Sequence, residues 1–229
     1  MANVRTETLS EIVAGSLRQA LHDGAYVCGE RLVELKIAHE MSVSQNTVRD
    51  ALRILESEGW VVKRPRHGVY VREFNREELR ELYALRAALE TLALSWACEY
   101  ASREKLEGLK KHIEETRQQV QMGNSYAARE ALFRFHTDVT RMAAKPQTKR
   151  ILLRLFNQSR LLENLREVHR PRSVREWRAT VDDYEKLYAL IDAGSQLEAV
   201  QQIHNIICGD GDALVKLLDM EDLDNHQRC

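Results

Sequence analysis

The sequence predicts a mainly α-helical protein of two domains: a small N-terminal domain of three helices and a β-hairpin, then a larger, all-α six-helix antiparallel bundle. Three observations predict it. Apolar residues recur at three- and four-residue spacing along most of the chain, which is the period of one helix face. β-Branched and aromatic residues concentrate around a Pro/Gly tip between Trp60 and Arg72, which is a hairpin pattern. A chain of 229 residues with only 10 Gly and 3 Pro is long enough for two unequal domains and has few breaks.

The first helix is expected over Glu7 to Asp23, where Leu9, Ile12, Val13, Leu17, Ala20 and Leu21 share helical spacing and Gly24 stands at the C′ position. A turn from Gly24 to Gly29 leads through Arg31-Leu32 into a second helix, about Val33 to Glu40. After Met41-Ser42-Val43, Ser44 offers an N-cap hydroxyl to a helix that opens Gln45-Asn46-Thr47 and stops at Gly59. Val48, Ala51, Leu52 and Leu55 form its apolar face. Trp60 to Arg64 and Val69 to Arg72 read as two strands around the tip Pro65-Arg66-His67-Gly68. A helix, a helix-turn-helix and a hairpin in that order make a winged helix, whose second motif helix can enter a DNA major groove. An ordinary α+β domain without a ligand is the other reading of this pattern.

From Asn75 onward no strand is expected. Arg76 to Tyr100 carries Leu79, Leu82, Leu85, Leu89, Leu92 and Trp96 at helical spacing. Ser102 caps a helix to about Met122, and Ser125 starts another ending near Ala143. Pro146 and Pro171 punctuate helices near Thr148 to Glu167 and Val174 to Ala193, and a last helix follows Gly194 to about Leu218. The domain boundary is expected between residues 73 and 74, with 74–229 large enough for its own core and an internal pocket.

Composition narrows the function classes. At 44% hydrophobic and 30% charged, the chain falls with globular proteins. Its longest apolar stretch, around Leu92 to Cys98, is too short to span a bilayer, and the first residues lack the apolar core of a secretion signal, so a cytoplasmic protein is expected. Cys28, Cys98, Cys208 and Cys229 form no CxxC pair, so reduced thiols are expected rather than a disulfide framework or zinc knuckle. Net charge is −1, but Lys63, Arg64, Arg66 and Arg72 cluster without an acidic residue between Gly59 and Arg72, while the tail from Asp210 to Asp224 is acidic. A local basic patch, not the bulk charge, is what a phosphate backbone meets. An enzyme is disfavoured: there is no convergent Ser/His/Asp set, no Glu-x-x-His pair and no phosphate-cradling glycine loop. An interaction module whose winged helix binds protein stays open.

The N-terminal residues resemble the GntR family of repressors. The matching positions are Gly24-Ala25-Tyr26, Gly29-Glu30-Arg31-Leu32, Glu34, Ala38, Val43-Ser44, Thr47-Val48-Arg49, Ala51-Leu52, Leu55, Glu58-Gly59 and Gly68-Val69-Tyr70-Val71. The remainder is similar to the FadR-type effector domain of that family, the FCD domain. Leu85-Arg86-Ala87-Ala88-Leu89-Glu90 matches its opening helix and Phe135-His136 its Phe-His motif, and the break at Gly194 with six helices fits the shorter, VanR-like branch.

The resemblance implies a homodimeric transcription regulator on a palindromic operator, with a small-molecule effector in the helical domain. It places Gln45, Asn46, Thr47 and Arg49 at the exposed start of the recognition helix, with Arg49 suited to guanine and Ser44 and Thr47 to phosphates. Glutamine stands at position 45 where relatives commonly have arginine, so an adenine preference becomes possible there. On the wing, Gly68 permits close approach, His67 resembles a minor-groove residue, and Lys63, Arg64 and Arg66 would meet phosphates. Arg31 resembles a position beside the DNA backbone, with a role in local folding as the alternative.

Many FCD domains hold a divalent metal with one Asp and three His. The corresponding positions here are Leu132, His136, Tyr184 and the vicinity of Ile206, with His204 two residues away. One ligand of four remains, so no metal cofactor is expected, His136 and His204 being the weak candidates. A Zn²⁺ or Ni²⁺ sensor is the alternative, and a constitutive regulator with no effector is another. The expected effector pocket combines Arg86, His136 and Tyr184 for a carboxylate or acyl ligand, unless Arg86 is satisfied by Glu90 and His136 is a core residue.

Overall fold

The computed structural model describes residues 7–99 and 102–227, with side chains as far as Asp219. The expectations that concern the first six residues, Tyr100, the Cys229 thiol and the acidic side chains from position 220 to Asp224 lie outside the described residues. Among the described residues the elements are α1 (Leu9–His22), β1 (Arg31–Leu32), α2 (Glu34–Glu40), α3 (Gln45–Ser57), β2 (Val61–Arg64) and β3 (Gly68–Val71). They continue with α4 (Arg76–Glu99), α5 (Arg103–Gln121), α6 (Ser125–Met142), α7 (Pro146–His169), α8 (Val174–Asp192) and α9 (Gln196–Gln227). The chain divides into two compact units, 1–74 with 154–169, and 75–153 with 170–229.

Local chemistry accounts for most element ends in the first unit. Thr8 and Glu11 form a capping box that starts α1, the Thr8 hydroxyl accepting from the Glu11 amide at 3.3 Å and Glu11 accepting from the Thr8 amide at 2.7 Å. Ser44, in extended conformation, caps α3 by accepting from the Thr47 amide at 3.1 Å. Gly59 ends that helix at φ +85°, a left-handed backbone that costs other residues about 1–2 kcal/mol.

The sheet is antiparallel with strand order β1-β3-β2. The expected hairpin is β2 paired with β3, Val61 opposite Val71 and Arg64 opposite Gly68. The additional short strand β1 pairs Arg31 with Tyr70 and Leu32 with Val69. Two residues are too short a segment to show alternation, so no sequence pattern marks this strand.

The core of the unit gathers Val13, Leu17 and Leu21 of α1, Ile37 of α2, Val48, Leu52 and Leu55 of α3, and Trp60, Val61, Val69 and Val71 from the sheet region. Leu161 of α7 joins them at 2% exposure. Asn164 donates to the carbonyls of Leu21 and His22 at 3.3 and 3.0 Å, satisfying the end of α1, and Asn157 donates to the Glu58 carbonyl at 3.1 Å beyond α3. Residues 154–169 thus pack in the same compact unit as the winged helix.

The second unit is helical throughout among the described residues. Within it α4 packs on α9 and α6, α5 on α6 and α8, and α8 on α9. Gly211 of α9 lets that helix close on α4, since a Cβ there would lie 2.8 Å from Tyr83 Cβ and Cγ. Ser173 starts α8 with a capping box to Glu176, and the last helix runs on past Leu218 to Gln227. Among the described residues, no helix is long and apolar enough to cross a membrane.

Candidate nucleic-acid interface and the helical-domain site

The outer face of α3 is built by subtraction. Val48, Ala51, Leu52 and Leu55 are buried, which turns Gln45, Asn46 and Arg49 outward at the start of the helix. These side chains are already engaged. The Gln45 amide donates to Glu34 Oε2 at 2.9 Å, and Arg49 Nη2 donates to the same oxygen at 3.0 Å. Arg49 Nη1 reaches Asn46 Oδ1 at 3.2 Å. Burial opposes the Glu34 charge, yet the hydrogen bonds from Arg49 and Gln45 and the nearby cations hold its carboxyl below the ordinary range. Thr47 and Ser44 share a hydroxyl contact of 2.8 Å, so both serve the cap as well as facing solvent.

The wing stands beside this face. Arg66 and Gly68 take left-handed backbone at φ 65° and 105°, and the His67 amide donates to the Arg64 carbonyl at 3.0 Å to close the tip. His67 and Arg66 are exposed there. Arg64 pairs with Glu73 and lies 4.4 Å over the Tyr70 ring, so its side chain is anchored along the wing. Arg31 crosses close to the tip: a Cβ at Gly68 would stand 3.3 Å from its Nε. Among the described residues, Arg31, Lys63 and Arg66 form no salt bridge, leaving three exposed cations around the hairpin. Between wing and helix lies a cleft of about 280 Å³, lined by Arg31, Val33, Glu34, Leu35, Gln45 and Gly68 among others. All the N-terminal residues named from the sequence thus fall on the α3 start, the wing or the cleft joining them. Glu34 was visible only as a matching position; its grip on Gln45 and Arg49 crosses from one helix to another and leaves no periodic signal.

In the second unit, Arg86, His136 and Tyr184 come together through a fourth group, Glu90. Arg86 Nε donates to Glu90 Oε1 at 2.9 Å, one turn along α4. His136 Nδ1 donates to the other Glu90 oxygen, and His136 Nε2 lies 2.5 Å from the Tyr184 hydroxyl. All four are at most 4% exposed. Burial works against both ions of the Arg86–Glu90 pair, but their mutual attraction and His136 outweigh it, keeping Glu90 below its ordinary range and Arg86 above. Burial, with Asp210 and Glu90 adding negative potential, holds the Tyr184 hydroxyl well above its ordinary value. Phe135 packs edge-on against Tyr184, with ring centroids 5.2 Å apart. Leu132 is half-buried. His204 is exposed on α9, 3.5 Å from the Cys208 thiol, and does not join the network.

Residues 9–71 match the model of bacterial regulatory proteins of the gntR family, and residues 81–208 match the FCD domain. The chain belongs to the GntR family, in the group that carries an FCD domain. The HTH-type transcriptional regulator YdhC of Bacillus subtilis (strain 168) is 29% identical over 151 residues, 66% of this chain and 62% of that protein. The gluconate operon transcriptional repressor of Bacillus licheniformis is 38% identical over 79 residues, 34% of this chain and 32% of its own. The chain thus spans less than two thirds of the length of these relatives. Among solved structures, Escherichia coli McbR/YncC superposes with a TM-score of 0.81 at 21% identity, covering 92% of this chain and 99% of that one, which establishes a shared fold. Neither matched model is that of an enzyme.

The GntR–FCD assignment brings the family's divalent metal into question. Both ring nitrogens of His136 are engaged, by Glu90 and by Tyr184. Among the described residues, no group of three or more His, Cys, Asp or Glu side chains gathers to hold an ion.

Proposed function

We propose that this GntR-family protein is a sequence-specific, DNA-binding transcription repressor that acts in the cytoplasm as a homodimer on a palindromic operator. The observation that carries the reading is the joint surface of α3 and the wing: polar readers on the helix start, a closely approachable Gly68 tip, and Arg31, Lys63 and Arg66 around it. Base edges are read from α3, with Arg49 on a guanine for about 1–3 kcal/mol of discrimination, while Ser44, Thr47 and the wing cations hold phosphates. Two-fold pairing of chains mirrors itself in the operator half-sites. The name of the gluconate operon relative supports repression.

The helical unit takes a small effector without a metal. Arg86, His136 and Tyr184 are its polar contacts, and a carboxylate ligand or the head of an acyl ligand enters by replacing Glu90 at the Arg86 guanidinium. Binding that favours one arrangement of the helical units shifts the population of dimers able to reach both half-sites.

A gel shift against the promoter of its own gene tests the reading. A specific, salt-dependent shift lost in Arg49→Ala is expected; no shift with any promoter fragment at low salt refutes it. Light scattering at micromolar concentration should give a dimer, and metal analysis of the purified protein should give no stoichiometric zinc or nickel.

A further inference from the structure

We propose that Glu34 is the positioning residue that sets base specificity: it holds Gln45 and Arg49 as an oriented pair, so that together they read an adenine and a guanine within the same half-site. The inference rests on the reading that α3 faces the bases. One carboxylate oxygen of Glu34 receives both readers, at 2.9 Å from Gln45 and 3.0 Å from Arg49, across the turn that joins α2 to α3.

The donor inventory shows what this grip leaves for DNA. Arginine has five N–H donors. Glu34 and Asn46 each take one terminal N–H of Arg49, leaving two terminal protons, the number that guanine O6 and N7 require. A free glutamine amide can turn over and exchange its oxygen and nitrogen. The bond from Nε2 to Glu34 removes that freedom and leaves one N–H and the carbonyl oxygen, the donor and acceptor that adenine N7 and N6 require. Gln45 and Arg49 are four residues apart and so lie one turn apart on one face. The two bases read are therefore expected within about two base pairs of each other.

The same contact penalises wrong registers. Glu34 lines the cleft between wing and helix, where a phosphate strand would pass. If Arg49 swings away to a phosphate, Glu34 keeps the Gln45 amide but loses its cation beside negative charge, which disfavours non-specific engagement. Orienting both side chains before contact also removes ordering that binding would otherwise have to impose. The depressed pKa of Glu34 agrees with this geometry, because the carboxylate is ionised whenever the pair is gripped.

The test uses the full chain and a randomised duplex library, with selected sequences counted for wild type, Glu34→Ala, Glu34→Gln, Gln45→Ala and Arg49→Ala. Gln45→Ala and Arg49→Ala identify the two positions read. Glu34→Ala is expected to flatten preference at those same two positions by at least about tenfold, with non-specific affinity at low salt and its salt slope unchanged or slightly strengthened. Glu34→Gln, nearly the same shape, is expected to lose less at the same positions, and it carries the comparison should the alanine variant melt early. If Gln45→Ala and Arg49→Ala lose base preference while both Glu34 variants keep it, the positioning role is wrong and the base-reading helix stands. Base preference unchanged in Gln45→Ala and Arg49→Ala overturns the recognition-helix reading itself, and this proposal with it.

Discussion

Replacing Glu90 by glutamine should unfold the helical unit at markedly lower temperature, although the change is nearly isosteric. Glu90 is 1% exposed and accepts from Arg86 and His136 on its two oxygens. Glutamine keeps one acceptor but places an amide N–H₂ against a second donor, and Arg86, at 4% exposure, loses the carboxylate one turn along α4. Removing one partner of a buried ion pair costs about 3–5 kcal/mol, mostly the penalty of the charge left behind. For a chain of this size that is a fall in melting temperature of about 6–20 °C.

Circular dichroism melts at neutral pH measure the fall, and a double-mutant cycle with Arg86→Met identifies its origin. The double variant should recover part of the loss, because the buried guanidinium is removed along with the carboxylate. The pH dependence has a definite sign. The folded pKa of Glu90 lies below its ordinary 4.5, so its contribution is present above that value and lost as pH falls through the folded pKa. Glutamine at 90 removes this part of the acid sensitivity. A Glu90→Gln protein melting within about 2 °C of wild type, or a double variant no better than the sum of the singles, refutes the network as a source of stability.

Leu161→Ala should destabilise the winged-helix unit by about 2–5 kcal/mol, although it lies some 90 residues beyond the wing; hydrogen exchange at Leu17 and Leu52 amides should accelerate, and unchanged protection there would count against it. The Glu176 carboxyl, held by the Ser173 amide and hydroxyl and by Arg170, should titrate near about 2, and Ser173→Ala should raise that midpoint in a carboxyl-resolved NMR titration. Since the folded pKa is depressed, the stability from this cap is present above the ordinary glutamate value and lost as pH falls toward 2. Lys63→Ala should weaken binding to all DNA sequences alike and lower the salt slope by about one, whereas a change confined to one base position would contradict a phosphate role.

The sequence by itself determined the helices, the wing and the family. Ser44 and Ser102 mark helix starts through bonds three residues away, and the apolar faces of α1 and α3 repeat within a single turn of helix. These are local interactions, and a local pattern can be read along the chain. Around His136, Arg86 and His136 each bond Glu90, and Tyr184 bonds His136. Glu90, which links Arg86 to His136, was foreseen only as a partner for Arg86.

Only the tertiary structure decided the rest. The strand Arg31–Leu32 exists because Val69 and Tyr70 lie beside it, not because of its own two residues. Residues 154–169 close the winged-helix core through Leu161, Asn157 and Asn164, whose partners are about a hundred or more positions away. Glu34 acquires its role from Gln45 and Arg49 across a helix junction. Each of these contacts depends on which faces meet after the chain has packed, and such pairings carry no spacing that a linear sequence can display.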